Sequence, residues 1–140
     1  MSKLNLVIDS RLENIDLVRS CIATLASKLF DDFRCYQIQL CVVEAITNCI
    51  IHSYKKAENH SVTVCYRMDE TKLVIDIIDT GVAMDPQFFK DVSPVFDLDP
   101  MDIANIPESG RGIKVIKAWM DDAYYYSQEG INYLTLVKFV

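Results

Sequence analysis

The chain has 140 residues, of which 51% are hydrophobic and 24% are charged, and its formal net charge at pH 7 is -6. This composition predicts one globular domain over residues 1–140, with enough apolar side chains for a real core. The acidic balance argues against a protein that binds nucleic acid directly, because phosphate backbones require a basic surface.

Neither export nor membrane insertion is indicated. The five cysteines contain no C-x-x-C pair, which favours reduced core residues in a cytosolic protein. The N-terminus lacks the apolar core of a signal peptide, and no uncharged apolar run approaches the length of a membrane span. We therefore expect a cytoplasmic protein that does not contact a membrane.

The first elements in the chain are a short strand and a helix. Alternating apolar and polar residues predict a strand over residues 4–9. Apolar residues then recur every three or four positions, which predicts a helix over residues 11–30. Asp9 or Ser10 could cap its N-terminus.

A second, more apolar helix is predicted over residues 33–54, with Asp31 or Asp32 as its N-cap. Glu44 and Asn48 lie four residues apart in it, so they share one face. An ionised glutamate in an apolar setting needs water or a cation, since losing hydration is costly. This face is therefore either an idle polar edge or the wall of a functional cleft.

The remaining strands form two hairpins. Residues 61–68 and 73–79 are β-rich runs separated by a polar tip, and residues 123–127 and 133–139 form a second pair around Gly130. Because helices and strands come in blocks, we expect an α+β two-layer sandwich. Its sheet would be mixed and mostly antiparallel, with the helices on one face.

A long connection separates the two hairpins. Residues 84–109 contain all four prolines and many aspartates, and a connection of this length in a compact domain typically serves as a lid or is mobile. Short helical turns are expected near residues 86–91 and 100–103. A short apolar helix follows at residues 113–120.

Two further motifs could carry chemistry. Asp79 and Gly81 end a predicted strand, where a carboxylate can accept a hydrogen bond and glycine permits close backbone approach. Gly110 and Gly112 precede a helix, whose N-terminus favours an anion, and Arg111 between them could pair with phosphate. Each motif alone is also compatible with an ordinary turn or helix cap.

The order of these motifs is more specific than any one of them. The block EAITNCIIHSY at residues 44–54 resembles the E-A-x-T-N-A-x-x-H-x-Y block of bacterial anti-sigma-factor serine/threonine kinases. The segment from Gly110 to Asp122 resembles their G-x-G-L…L-M-D block. These kinases are histidine-kinase-like ATPases with the Bergerat, or GHKL-type, fold. The resemblance covers nearly the whole chain.

The resemblance implies ATP and Mg²⁺ as cofactors. It implies that Glu44 is the general base for a protein hydroxyl and that Asn48 is the metal ligand. Asp79 would bind the adenine amine, with Gly81 allowing close approach of the nucleotide. The glycines of the Gly110–Arg111–Gly112 motif would present backbone N–H groups to phosphate, and residues 84–109 would form the ATP lid.

Three positions depart from the family pattern. Ala83 stands where the second glycine of D-x-G-x-G belongs, at the edge of the implied adenine pocket. Asn132 aligns nearest to a threonine that approaches adenine. No arginine directly precedes Gly110, so the terminal phosphate would lose one cation unless Arg111 replaces it.

The implied function is an ATP-dependent serine/threonine protein kinase. It would phosphorylate a STAS-type anti-sigma antagonist and sequester a sigma factor or similar regulator, and it would form a homodimer through the sheet or the first helix. The alternative is a catalytically weak or inactive nucleotide-binding module that only switches partners, which the three departures favour.

Overall fold

The computed structural model describes residues 1–94 and 110–140. The strands are β1 Ser2–Asp9, β2 Ser61–Met68, β3 Lys72–Asp79, β4 Asp122–Gln128 and β5 Ile131–Phe139. The helices are α1 Ile15–Ala26, α2 Asp32–Asn48, α3 Pro86–Asp91 and α4 Arg111–Trp119, with a 3-10 turn at Leu12–Asn14 and a π-helical turn at Cys49–Ser53.

The five strands form one sheet in the order β1-β2-β3-β5-β4. All four strand pairs of the described residues are antiparallel, so the parallel pairing expected in a mixed sheet is not found among them. The register places Asp79, the last residue of β3, opposite Asn132 near the start of β5. Residues far apart in sequence therefore meet at one end of the sheet.

The helices pack on one face of this sheet, which confirms the α+β two-layer sandwich. Alternate strand residues such as Val64, Ile75 and Leu136 join helix residues such as Ile38 and Ile116 in a single buried cluster. The opposite sheet face carries an ion pair between Arg67 and Asp76, 2.7 Å apart. No helix in the described part of the chain is long and apolar enough to cross a membrane.

The first helix begins later than predicted, and the expected caps are wrong. The chain forms a 3-10 turn before α1, and no side chain caps either element. The hydroxyl of Ser10 instead donates to the carbonyl of Ala57 and accepts from the His60 amide at 3.2 Å. Ser10 thus ties β1 to the loop before β2, because a fully buried hydroxyl needs partners.

The second helix follows the prediction at its start and departs from it at its end. Asp31 caps α2 by accepting a hydrogen bond from the Arg34 amide at 2.8 Å. After Asn48 the helix widens into the π-helical turn. Such turns often occur at functional sites, and this one brings Ser53 against Gly81.

The long connection begins with the expected helical turn, which is α3. Asp85 caps it through the Gln87 amide at 2.9 Å, and Pro86 occupies its first turn. The turn expected at residues 100–103 lies outside the described residues, as does most of the predicted lid at residues 84–109.

Candidate functional site

The polar face of α2 lies against the start of α4. A methyl group placed on Gly112 would lie 3.1 Å from Asn48 Nδ2 and 3.1 Å from Glu44 Oε2. Any larger side chain at this position would fill the space beside the two polar groups. The fold thus brings the Glu44 and Asn48 face of α2 next to the Gly110–Gly112 motif.

The surroundings of Glu44 alter its acidity. Glu44 is half-buried, and this burial raises the pKa of its carboxyl, while the charge of Arg111 acts in the opposite direction. A carboxylate with a raised pKa is a better proton acceptor than an ordinary surface glutamate. Arg111, on α4, is therefore an electrostatic neighbour of the predicted base.

Gly110 determines how α4 begins. It has a φ of 71°, in the left-handed region that glycine adopts without steric cost. Helix α4 starts at the next residue, and its first turn faces the α2 residues described above. Backbone N–H groups at a helix N-terminus, together with the helix dipole, favour a bound anion.

Asp79, near this site, accepts three hydrogen bonds within the protein. It is only 5% exposed, and its Oδ1 accepts from Gly81 N at 2.9 Å and from Asn132 Nδ2 at 2.7 Å. Its Oδ2 accepts from the Cys49 thiol at 3.2 Å. A carboxylate has about four acceptor positions, so one on Oδ2 remains available for a donor.

Asn132 supports Asp79 rather than opening into a cavity. Its Nδ2 donates both to Asp79 and to Gly81 O, the latter at 3.0 Å, while its Oδ1 accepts from Ser127 Oγ at 2.5 Å. Both N–H donors of the amide are used inside the protein. The side chain therefore holds the carboxylate in place.

Gly81 is required by packing within the protein. A methyl group there would lie 2.4 Å from the Ser53 carbonyl oxygen, a distance that backbone atoms cannot accommodate. The same oxygen accepts from the Val82 amide at 2.9 Å. The close approach predicted for this glycine is thus made to the π-helical turn in this structure, and its approach to a nucleotide stays a prediction.

Ala83 lies just beyond this junction and is exposed. The next residue, Met84, donates its amide N–H to the Tyr125 hydroxyl at 2.7 Å. That bond ties the segment after Asp79 to strand β4. The effect of the Ala83 methyl group on a bound base stays a prediction.

Sequence reasoning missed two supports of the carboxylate end of β3. Cys49 was interpreted only as a core residue, although it stands where the family block has its second alanine. The Tyr54 hydroxyl accepts a hydrogen bond from the Thr80 amide at 2.8 Å and donates one to the Ser61 carbonyl at 2.6 Å. Tyr54 is the final residue of that same block, so its position in the motif was the available signal.

An open depression of about 500 Å³ adjoins this region. Its lining includes Tyr54, His60, Thr80 and Gly81 but neither Asp79 nor the polar face of α2. Asp79, Glu44 and Asn48 therefore lie outside this depression.

The residues present fit ATP with Mg²⁺. Asp79 keeps one acceptor position for an exocyclic amine. Cys49, whose thiol donates to Asp79, directly follows Asn48 in the chain. No cluster of three or more His, Cys, Asp and Glu side chains occurs within residues 1–94 and 110–140. A neutral amide oxygen such as that of Asn48 suits Mg²⁺, which typically takes few protein ligands and completes its shell with phosphate and water.

Comparison with known proteins agrees with this arrangement. The family described as the histidine kinase-like ATPase domain matches residues 8–138. The chain is 27% identical to a serine-protein kinase RsbW of Listeria monocytogenes, over 99% of this chain and 87% of the relative. It is 28% identical to an anti-sigma F factor of Clostridium acetobutylicum, over 98% and 92% of the two chains. Because the family match spans residues 8–138, the chain belongs to the histidine kinase-like ATPase domain family.

Proposed function

We propose that this protein is an ATP-dependent serine/threonine protein kinase of the anti-sigma type. The observation that carries the proposal is the position of Glu44 and Asn48 beside Gly112 at the start of α4. In this proposal, Glu44 is the proton acceptor, Asn48 is a neutral metal ligand and the start of α4 binds an anion, and all three border one small space. The names of the relatives, a serine-protein kinase and an anti-sigma F factor, point the same way.

Each residue has a role in this proposal. Asp79 accepts a hydrogen bond from the adenine amine through its remaining acceptor position, and Asn132 keeps the carboxylate oriented. Asn48 holds Mg²⁺, which when bound neutralises phosphate charge. Gly110 and Gly112 present N–H groups to the phosphates.

The chemical step uses the raised pKa of Glu44. Glu44 would accept the proton of a serine or threonine hydroxyl on the substrate protein as that oxygen bonds to the terminal phosphorus of ATP, while the bond from this phosphorus to ADP breaks and ADP leaves. The charge of Arg111 opposes the rise in the pKa of Glu44, and its guanidinium can pair with phosphate oxygens. Ala83 borders the base-binding end.

The proposed partners are proteins. We propose that a STAS-type antagonist is the phosphate acceptor and that a sigma factor or similar regulator is the protein that is held. Exposed apolar side chains on and beside α1 and α2, including Leu17, Phe33 and Tyr36, offer surface for such contacts. The sheet face without helices carries exposed Tyr124 and Tyr126 and supports a proposed homodimer.

The decisive experiment is phosphate transfer from labelled ATP to a purified STAS-type antagonist, with Mg²⁺ present. We expect Glu44→Gln to reduce the transfer rate by about 10²- to 10⁴-fold while nucleotide affinity, measured by calorimetry, is retained. Asn48→Ala should remove the Mg²⁺-dependent part of ATP binding. Transfer at equal rates by wild type and Glu44→Gln would overturn the role of Glu44.

The same measurements distinguish the kinase from a second candidate function, a nucleotide-binding module that switches partners without catalysis. Ala83 in place of a glycine, and the lack of an arginine directly before Gly110, favour it. This candidate predicts ATP binding and partner release without phosphoprotein. Absence of binding to both ATP and ADP would remove nucleotide from either proposal.

A further inference from the structure

Lys117 on α4 binds the C-terminal end of α3. Its Nζ donates to the carbonyl of Phe89 and to that of Val92 at 2.8 Å, and the Lys90 carbonyl lies 3.5 Å away. The last carbonyls of a helix have no partner within the helix, and a cation is favoured beside them. Lys117 supplies both the donors and the charge.

The contact also has an apolar component. Lys117 Nζ lies 4.6 Å from the centre of the Phe89 ring, within the range of a cation–π interaction. Phe89 is buried, and its ring packs against that of Tyr125 with centroids 5.9 Å apart. Burial lowers the pKa of the Lys117 amine, with Asp91 opposing the change.

Helix α3 joins the two halves of the proposed nucleotide site. Helix α3 begins shortly after the end of β3 that carries Asp79. Just before α3, the Met84 amide donates a hydrogen bond to the Tyr125 hydroxyl. Its other side meets the start of α4, because a methyl group on Gly110 would lie 3.5 Å from Phe88 Cζ and 3.8 Å from Val92 Cγ2. A shift of α3 would therefore disturb the Gly110 turn.

We propose that Lys117 is a positioning residue for the nucleotide. By binding the carbonyls that end α3, it fixes this helix against α4 and so maintains the geometry of Gly110 relative to the base-binding end. The inference rests on the proposed function, since it assumes that ATP binds between Asp79 and the start of α4. Lys117 itself touches neither Glu44 nor Asp79 among the contacts of the described residues.

The test compares Lys117→Met with Lys90→Met and Lys117→Arg in the full chain. Lys90→Met removes the same charge from the same region, yet the exposed Lys90 side chain is not part of the contact. We expect Lys117→Met to weaken Mg-ATP binding about tenfold, because the bonds from Nζ no longer hold the end of α3 against α4. Lys117→Arg, which keeps charge and donors, should recover most of the loss.

Two further readouts distinguish positioning from general damage. Hydrogen exchange without nucleotide should be faster at residues 86–92 in Lys117→Met and unchanged in Lys90→Met. The KM for ATP should rise while kcat at saturating ATP stays close to wild type, since Glu44 is untouched. If Lys117→Met does not fold, Lys117→Gln, which keeps a donor, should give an intermediate loss of affinity.

The possible failures differ from one another. Wild-type protein that does not bind ATP would overturn the proposed function and this inference together. Wild-type binding with equal affinity in Lys117→Met would overturn the inference alone. An equal loss in Lys90→Met would attribute the effect to net charge and would also overturn it.

Discussion

Asn132 Nδ2 lies 2.7 Å from Asp79 Oδ1, and this hydrogen bond joins two buried polar groups from different strands. The register of β3 and β5 places the two residues directly opposite each other. The bond leaves Oδ2 of Asp79 with the Cys49 thiol and one remaining acceptor position. Asn132, one of the three departures from the family pattern, thus orients the proposed base-binding carboxylate.

The first prediction concerns this bond. Replacing Asn132 with Ala removes a donor to Asp79 and leaves a buried carboxylate oxygen less satisfied. We expect a loss of about 1–3 kcal/mol in the free energy of unfolding, together with weaker ATP binding. Urea denaturation and calorimetry measure the two effects. Asn5→Ala on exposed β1 is the control, and equal losses in both variants would contradict the orienting role of Asn132.

The second prediction concerns the contact between Gly81 and the Ser53 backbone. In Gly81→Ala the added methyl group would lie 2.4 Å from the Ser53 carbonyl oxygen, so the chain must shift. We expect a loss of about 3 kcal/mol in the free energy of unfolding. Urea denaturation of wild type and Gly81→Ala measures this difference in the free energy of unfolding.

Gly130→Ala provides the comparison for that variant. Gly130 has a φ of 79° but no neighbour within 4 Å of an added methyl group, so only backbone strain of about 1 kcal/mol is expected. A Gly130 variant that is as destabilised as the Gly81 variant would show that steric contact with Ser53 is not the cause.

The third prediction concerns Arg111 and the pH dependence of phosphate transfer. The charge of Arg111 lowers the pKa of Glu44, against the larger effect of burial. In Arg111→Met this opposition is lost, so the pKa of Glu44 rises. The acidic limb of the pH–rate profile should therefore move to higher pH. Lys114→Met removes the same charge from the same helix, and a shift of equal size in that variant would contradict a specific effect of Arg111.

The fourth prediction concerns stability rather than rate. Burial raises the pKa of Glu44 in the folded protein above its value in the unfolded chain. With such a carboxyl, the free energy of unfolding of the protein falls as pH rises from the unfolded pKa, about 4.3, through the folded pKa. The loss persists at higher pH. Glu44→Gln lacks this loss. We expect the variant to be more stable than wild type near neutral pH and to converge with it at low pH.

Thermal or urea denaturation at several pH values measures that difference. Glu13→Gln is the matched control, because the Glu13 side chain is 64% exposed. A stability difference between Glu44→Gln and wild type that does not change with pH would contradict ionisation as its cause. A gain in stability with a loss of transfer is the trade-off expected when a functional group is held in an unfavourable environment.

Local sequence patterns were enough to predict the class of the fold and the three motifs of the site. Hydrophobic periodicity predicted every described strand, α1 and the core of α2, because alternation and helical spacing reflect which face is buried. The preferences of aspartate and proline at helix starts predicted Asp31 or Asp32 as the cap of α2, and α3 near residues 86–91. The motif blocks indicated the family that the comparison with known proteins shows.

Which residues contact one another depends on long-range packing. The Ser10 hydroxyl binds Ala57 and not a helix end, because a tertiary contact competes with a local cap and sequence pattern shows only the local choice. Asn132 and Cys49 converge on Asp79, and Lys117 reaches the end of α3, through strand register and helix packing. Such contacts join residues that are distant in the chain, so local periodicity carries no information about them.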